Sequence, residues 1–312
     1  MPSYSGVWTL TAQYQAQGAG NWPVSPLTGD IALFAGGYSG PVNTIEYITI
    51  TSTGNATLFG ALPTTRGGGA GCSNATLGLF GGGISNGTRI DYVTINTKGN
   101  ATSFGTMTDQ YYFGACSSST RGLWGGGSNG NSTTIQYVTF ATTGNATTFG
   151  NLTQGRSSAG GCGSTTRGIF GGGTESATFT QVNTIDYVTF ATTGNATDFG
   201  DLSLPQSAPG ASSNATRGIF PCGTTTGSVL INNINYITIA TTGNSSVFGT
   251  ASYITYGAPA SNSTRGLWGG GTTSTSLIEY VTFATTGNAS TFGYLTSART
   301  NIMSCSNSHG GI

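Results

Sequence analysis

Four acidic side chains occupy one place in a repeated pattern: Glu46, Asp91, Asp186 and Glu279 each stand immediately before a tyrosine. Gln136 and Asn235 hold the same place in two further copies. General acid–base chemistry needs one pair of carboxyls whose surroundings drive their pKa values apart. A position shared by Glu, Asp, Gln and Asn instead marks a polar hydrogen-bonding site inside each unit. His309 is the single histidine, so a histidine metal site or a catalytic dyad has no second member. Its place in the repeat matches Thr76, Thr120, Thr166, Thr216 and Thr264, which predicts a solvated turn. No catalytic residue, metal ligand or cofactor is assigned.

The cysteines are equally repetitive. Cys72, Cys116, Cys162 and Cys305 share one position, where the remaining units carry Ser212 and Ala260. Sheets pack about 10 Å apart, whereas a disulfide needs Cα atoms within about 7 Å, so free, buried thiols are expected. Cys222 stands apart from this series and forms no CxxC pattern. Two arginine series also recur. Arg121, Arg167, Arg217 and Arg265 precede one strand, where hydrogen bonds to carbonyls of a neighbouring unit would use them. Arg66, Arg156 and Arg299 precede another, with Tyr111, Gln206 and Ile254 read at the same place elsewhere.

The elements that hold these residues come from six copies of one unit. Tyrosines fall at 47, 92, 137, 187, 236 and 280; an Asn follows each by eight residues and a Phe follows that Asn by four. A fixed internal spacing inside a period of 44 to 50 residues is the signature of a repeat architecture. Each unit divides into four strands: a Gly/Ala-rich one, one such as Arg121–Trp124 running into glycines, one such as Ile135–Ala141, and one ending in Phe-Gly. β-Branched and aromatic residues fill the second and third strands, and Gly-Asn between the third and fourth is read as a tight turn with positive φ. The Asn-Ala-Thr sequons in these turns are turn chemistry rather than glycan acceptors.

The predicted fold is an all-β, six-bladed β-propeller of four-stranded blades spanning residues 29–312, preceded by an aromatic extension, residues 1–28. Arg299–Cys305 matches the first strand of a unit, while the first recognisable repeat segment, Ile31–Gly37, matches a second strand. The C-terminal strand should therefore join the N-terminal blade and close the ring. Only 6% of residues are charged, against roughly a quarter in an ordinary soluble domain, and the formal net charge is zero. That balance carries no electrostatic footprint for nucleic acid. No apolar run is long enough for a membrane helix, and the N-terminus lacks the basic and apolar regions of a secretion signal.

A strand ending in glycines, a loop, a tyrosine and an aromatic about a dozen residues later resembles the kelch repeat. Phe stands where kelch usually has Trp, and Pro221-Cys222-Gly223 replaces the glycine triplet of the fifth unit. The wording RGLWGGG with YVTFATTGNAT, after GVWTLTAQYQ and GNWP, resembles virion structural proteins of tailed bacteriophages, especially those of aquatic bacteria. The resemblance implies a tail or fibre component or a capsid decoration, assembled in the host cytoplasm and present in multiple copies in a symmetric particle. Its partners would be other virion proteins and a host-surface glycan, with no enzymatic activity.

Three surfaces are candidates for such contacts. Trp8, Tyr14 and Trp22 in the extension would serve as attachment anchors. The loops after the glycine run hold six or seven residues in four units but 11 and 10 in the fourth and fifth, where they carry Phe179, Val229, Leu230 and Ile231. Adjacent long loops bearing apolar residues suit a protein partner. Arg66, Arg156 and Arg299, with Tyr111, Tyr112, Tyr253 and Tyr256, would rim the central channel as a glycan-binding face, since Arg and Tyr suit sugars and anionic groups.

Overall fold

The computed structural model describes residues 26–38, 42–128, 132–175, 177–252, 255–272 and 275–312. Trp8, Tyr14, Trp22 and Tyr253 lie outside these residues. The protein is an all-β six-bladed propeller: six four-stranded antiparallel sheets stand around one axis. Blade 2 shows the plan, with an inner strand Ala70–Ser73, then Leu77–Gly81, Arg89–Thr94 and an outer strand Thr102–Thr106. The inner strands of all six blades, Met303–Ser306, Ala70–Ser73, Gly114–Ser117, Gly160–Gly163, Ser212–Ser213 and Ala258–Ser261, each touch the next until the circle closes.

Closure occurs where the sequence places it. Met303–Ser306 pairs with Ile31–Ala35 in blade 1, with Leu33 opposite Cys305 and Phe34 opposite Ser304. No large sheet edge is left open at the seam.

The core lies between blades rather than inside any one of them. Ile31, Leu33 and Ile45 of blade 1 pack with Phe80, Val93 and Ile95 of blade 2, and the same arrangement recurs around the ring. This requires second strands that are apolar on both faces, which explains runs such as Leu-Phe and Leu-Trp. Phe34, Phe80, Trp124, Phe170, Phe220 and Trp268 are all essentially inaccessible. Each such aromatic reaches the preceding blade, and in four blades the first glycine of the triplet makes room for it, as at Gly81, where a Cβ would lie 2.8 Å from the Trp124 ring; Ala35 and Pro221 hold that place in blades 1 and 5. The second and third glycines serve the backbone instead, with φ of 61° and 112° at Gly82 and Gly83.

The recurring Phe of the outer strand is a bulge. Ile90 faces Gly105 while Asp91 faces Ser103, so Phe104 has no partner across the ladder and turns into the core. There it meets the repeat tyrosine edge to face; all six Tyr–Phe pairs have centroids 5.5–6.2 Å apart. The Gly-Asn turn differs from its expected form, since Gly243 is the single turn glycine with positive φ. Its importance lies in the asparagine. Asn55, Asn100, Asn145, Asn195, Asn244 and Asn288 each accept, through Oδ1, a backbone N–H of the preceding blade's outer strand at 3.0–3.1 Å.

Strand alternation sorts the loops onto two faces. The lower face carries the inner-to-second turns and the Asn turns. The upper face carries the second-to-third loops and the connections between blades. On the lower face Arg121, Arg167, Arg217 and Arg265 lie over Tyr137, Tyr187, Tyr236 and Tyr280, with 4.7–5.2 Å from guanidinium to centroid. Each also donates to a carbonyl of the following blade, as Arg167 does to Ile239 and Arg265 to Ile50. The five cysteines are buried and form no disulfide, and burial pushes the Cys162 and Cys305 thiols up to about 12.

Candidate binding sites on the upper face

The Arg66, Arg156 and Arg299 set does not rim a ligand face; it lies inside the blades. Arg66 Nη2 pairs with Asp91 at 2.7 Å, Arg156 with Asp186 at 2.9 Å and Arg299 with Glu46 at 2.6 Å, and all six side chains are at most 1% exposed. The guanidiniums also donate to strand carbonyls, Arg66 to Phe80 and Arg89 and Arg299 to Gly36 and Thr44. Each therefore ties the upper ends of the second and third strands of its own blade. Burial lowers the Arg66 pKa to about 10, the nearby Asp91 acting against this, so the guanidinium stays charged at neutral pH. The acidic column is the polar site within each blade that its composition suggests.

Backbone geometry also corrects one alignment. Gly83, Gly127 and Gly173 donate to the carbonyls of Gln110, Arg156 and Gln206 in the following blades, as Gly37 does to Arg66 and Gly271 to Arg299. The equivalent of Arg66 in blade 3 is thus Gln110, and Tyr111 lies one residue closer to the axis. Two residues beyond each of these positions the chain bends sharply. Gly68, Tyr112, Ser158, Ala208, Tyr256 and Asn301 all adopt left-handed φ, between 53° and 74°. Their backbones are linked around the axis: Gly68 donates to Asn301, Tyr112 to Gly68, Ser158 to Tyr112, Ala208 to Ser158 and Tyr256 to Ala208.

This belt is the mouth of an axial cavity of about 150 Å³. Tyr112 and Tyr256 come from blades on opposite sides of the ring, yet their ring centroids are 6.1 Å apart, so both reach inward over the axis. Tyr111 packs edge to face on Tyr112 at 5.4 Å. Burial pushes the Tyr112 and Tyr256 phenols up, so both stay neutral. Lower down, serine hydroxyls of the inner strands bridge neighbouring blades: Ser73 Oγ donates to Ser306, Ser261 Oγ to Ser213 and Ser306 Oγ to Ser261. Their hydroxyls replace the backbone pairing that neighbouring inner strands lack.

The floor of the cavity corrects the expectation for His309. It is a half-buried plug rather than a solvated turn. Nε2 lies 2.9 Å from the Ser73 carbonyl and 3.1 Å from Ser117 Oγ, while Nδ1 accepts the Gly311 N–H at 3.0 Å. These contacts fix a neutral imidazole with its proton on Nε2, and desolvation lowers its pKa to about 4. The tail continues across the axis, with Gly310 donating to Ser213 of blade 5. A side chain at Gly310 or Gly311 would overlap the carbonyls of Asn214 and Ser117, so only glycine passes here.

The two long loops share the upper face with this mouth. In blade 4, Thr174–Glu175 pairs with Arg156–Ser157, and the tip is closed by Phe179 N–H to Glu175 and by Thr178 Oγ1 to the Glu175 carboxylate at 2.6 Å. Phe179 sits at φ 54° with 79% of its surface exposed. In blade 5 the second and third strands extend to Thr225 and back from Val229, forming a projecting hairpin. Val229 is 59% exposed; Leu230 and Ile231 are half-buried, so of the four residues only Phe179 and Val229 present most of their surface. Leu204, in the connection between these two blades, adds an exposed apolar side chain that the loop-length argument did not find. Asn301 and Ser158 were also missed, because the belt they belong to is visible only as a shared φ. No family model and no curated protein matches this chain.

Proposed function

We propose that the protein is a non-catalytic binding module of a tailed-bacteriophage particle, which docks onto a neighbouring virion protein through the upper loops of blades 4 and 5. The observation that carries this reading is that Phe179, Leu204 and Val229 are all exposed on the upper face of the two adjacent blades whose loops are longer than the rest. An apolar side chain held at a loop tip by its own hydrogen bonds costs hydration and adds nothing to the core, which favours a partner that covers it. Support for the particle setting comes from the sequence likeness to virion structural proteins. Support for binding rather than catalysis comes from the cavity lining, where the histidine is locked as a neutral donor and the titratable neighbours are phenols and buried thiols.

The test is particle composition. Phages carrying Phe179→Ser and Val229→Ser should incorporate several-fold fewer copies, counted by quantitative mass spectrometry of purified particles, while the isolated protein melts as before. Full incorporation of the double variant would overturn the docking assignment.

A further inference from the structure

The charges of this chain cancel in number but not in place. Counting side chains, the lower half of the disc holds five of the nine basic residues, Lys98, Arg121, Arg167, Arg217 and Arg265, and two of the nine acidic ones, Asp30 and Asp198. The upper half holds the other four basic and seven acidic residues. Five against two leaves a formal +3 below, and four against seven leaves −3 above.

The two sets of cations are also treated differently. Arg66, Arg89, Arg156 and Arg299 each pair with a carboxylate. None of the five lower cations does, although the described residues include every Asp and Glu of the sequence. Neutral groups fix them instead. Each lower arginine lies on a tyrosine ring and donates from Nη1 to a carbonyl of the next blade, that of Phe190, Ile239, Phe283 or Ile50 in turn. A guanidinium held in this way keeps its charge, and the donors of its other edge, for something outside the chain.

Repeat symmetry puts these charges in one plane. The arginines open the second strands of blades 3 to 6 in one register, opposite Thr139, Thr189, Thr238 and Thr282. Lys98 stands in a turn at the same end of blade 2. Packed sheets are about 10 Å apart, so the cations spread along an arc of the lower surface rather than gathering in a pocket. A small anion would meet one of them, and a strand of peptide or nucleic acid would have to curve round the ring in register. A plane of laterally mobile anionic headgroups meets all five at once and needs no register. Distance decides whether the upper carboxylates oppose this. A five-residue strand spans about 17 Å, which is about two Debye lengths at physiological salt. The negative upper half is therefore screened from whatever touches the lower face.

We infer that the lower face is a docking surface for an anionic lipid bilayer, on which the disc lies flat by electrostatic attraction and without insertion. The acidic upper half turns away from the bilayer, so the loops of blades 4 and 5 point outward. The bilayer face is opposite the loop tips, and the two assignments fail separately.

Blade 2 shows which positions accept a change of charge. Lys98-Gly99-Asn100 corresponds to Thr143-Gly144-Asn145 and Thr193-Gly194-Asn195, and both threonines are exposed. Binding of the full chain to phosphatidylcholine vesicles, with and without about 30% phosphatidylglycerol, would be measured by co-sedimentation. Only the anionic vesicles should bind, and raising salt from about 0.1 M to about 1 M should abolish binding. At about fivefold per charge, Thr143→Lys/Thr193→Lys should tighten binding more than about tenfold, and Thr143→Glu/Thr193→Glu should weaken it as much. Thr106→Lys/Thr226→Lys adds the same charge at exposed upper positions and should change binding less than about threefold. Phe179→Ser should leave it unchanged. Absence of binding to the anionic vesicles, equal binding to neutral ones, persistence at high salt, or equal tightening by the upper and lower lysine pairs would overturn the inference. So would complete displacement of the vesicles by a thymidine oligonucleotide at equal phosphate concentration.

Discussion

The two faces of the disc obey different rules. On the lower face each blade repeats the last: the Asn Oδ1 bond to the previous blade occurs six times, and the arginine over tyrosine occurs in four blades. Blade 1 lacks that arginine, and Lys98 of blade 2 takes its place over Tyr47. The upper face departs from the repeat in loop length, in the aromatics at the mouth and in the charge of the strand-tying pairs. Contacts that hold blade to blade are written identically because each must solve the same packing problem. Positions that differ between blades are free of that problem and so are open to other demands.

The sharpest way to break this comparison is inside the upper half. Asp186→Ala leaves Arg156 buried without its carboxylate and should cost about 3–5 kcal/mol, read by denaturant unfolding. The double change Arg156→Gln/Asp186→Asn copies blade 5, where Gln206 and Asn235 occupy the same places, and should cost far less. A double variant as unstable as Asp186→Ala would show that the charge itself is required.

Next in size is the floor of the axis. With its folded pKa near 4, below the ordinary 6.5, His309 takes a proton in the unfolded chain first. Its contribution is therefore complete above about pH 6.5, falls as pH drops toward 4 and then levels off. The full loss would be about 3 kcal/mol, and the partial exposure of His309 makes it smaller. Unfolding curves from pH 7 to 4 should show this slope, and His309→Gln should flatten it.

Smaller effects compare the faces directly. Asn145→Ala removes one of six equivalent bonds and should lower stability by about 1 kcal/mol, and the same change at Asn100 should match it. Ser158→Gly at the mouth should raise stability by about 0.5–1 kcal/mol by relieving its left-handed backbone. Phe179→Ser should change the melting curve by less than about 0.5 kcal/mol, since its side chain supports nothing in the ring. A large loss at Phe179 would mean the loop is structural after all.

Much of the architecture was legible in the residues. The match of Arg299–Cys305 to an inner strand fixed the seam, and the fixed Tyr, Asn and Phe spacing fixed six blades. The buried cysteines followed from their shared inner-strand position. The arginines at 66, 156 and 299 were misread because their partners lie two strands away. A signal was present all the same: the three units with this arginine carry Glu46, Asp91 and Asp186, whereas Gln110 and Gln206 accompany Gln136 and Asn235. Correct alignment of blade 3 at Gln110 rather than Tyr111 would have exposed that matching. The fate of His309 was not legible, since it depends on where the tail turns after its last strand, and the belt of left-handed residues has no common side chain to announce it.

The pairing of Leu33 with Cys305 joins the first and last strands of the ring. During synthesis the first three strands of blade 1 must wait until five further blades have been made before their missing neighbour appears. Assembly is correspondingly slow, because contacts of such long sequence separation bring the largest loop-closure cost. Until then an inner edge stands open, and the same strand from another copy fits it equally well. High local concentration of nascent chains therefore favours exchange of Met303–Ser306 between molecules, and folding in dilute conditions favours the closed disc.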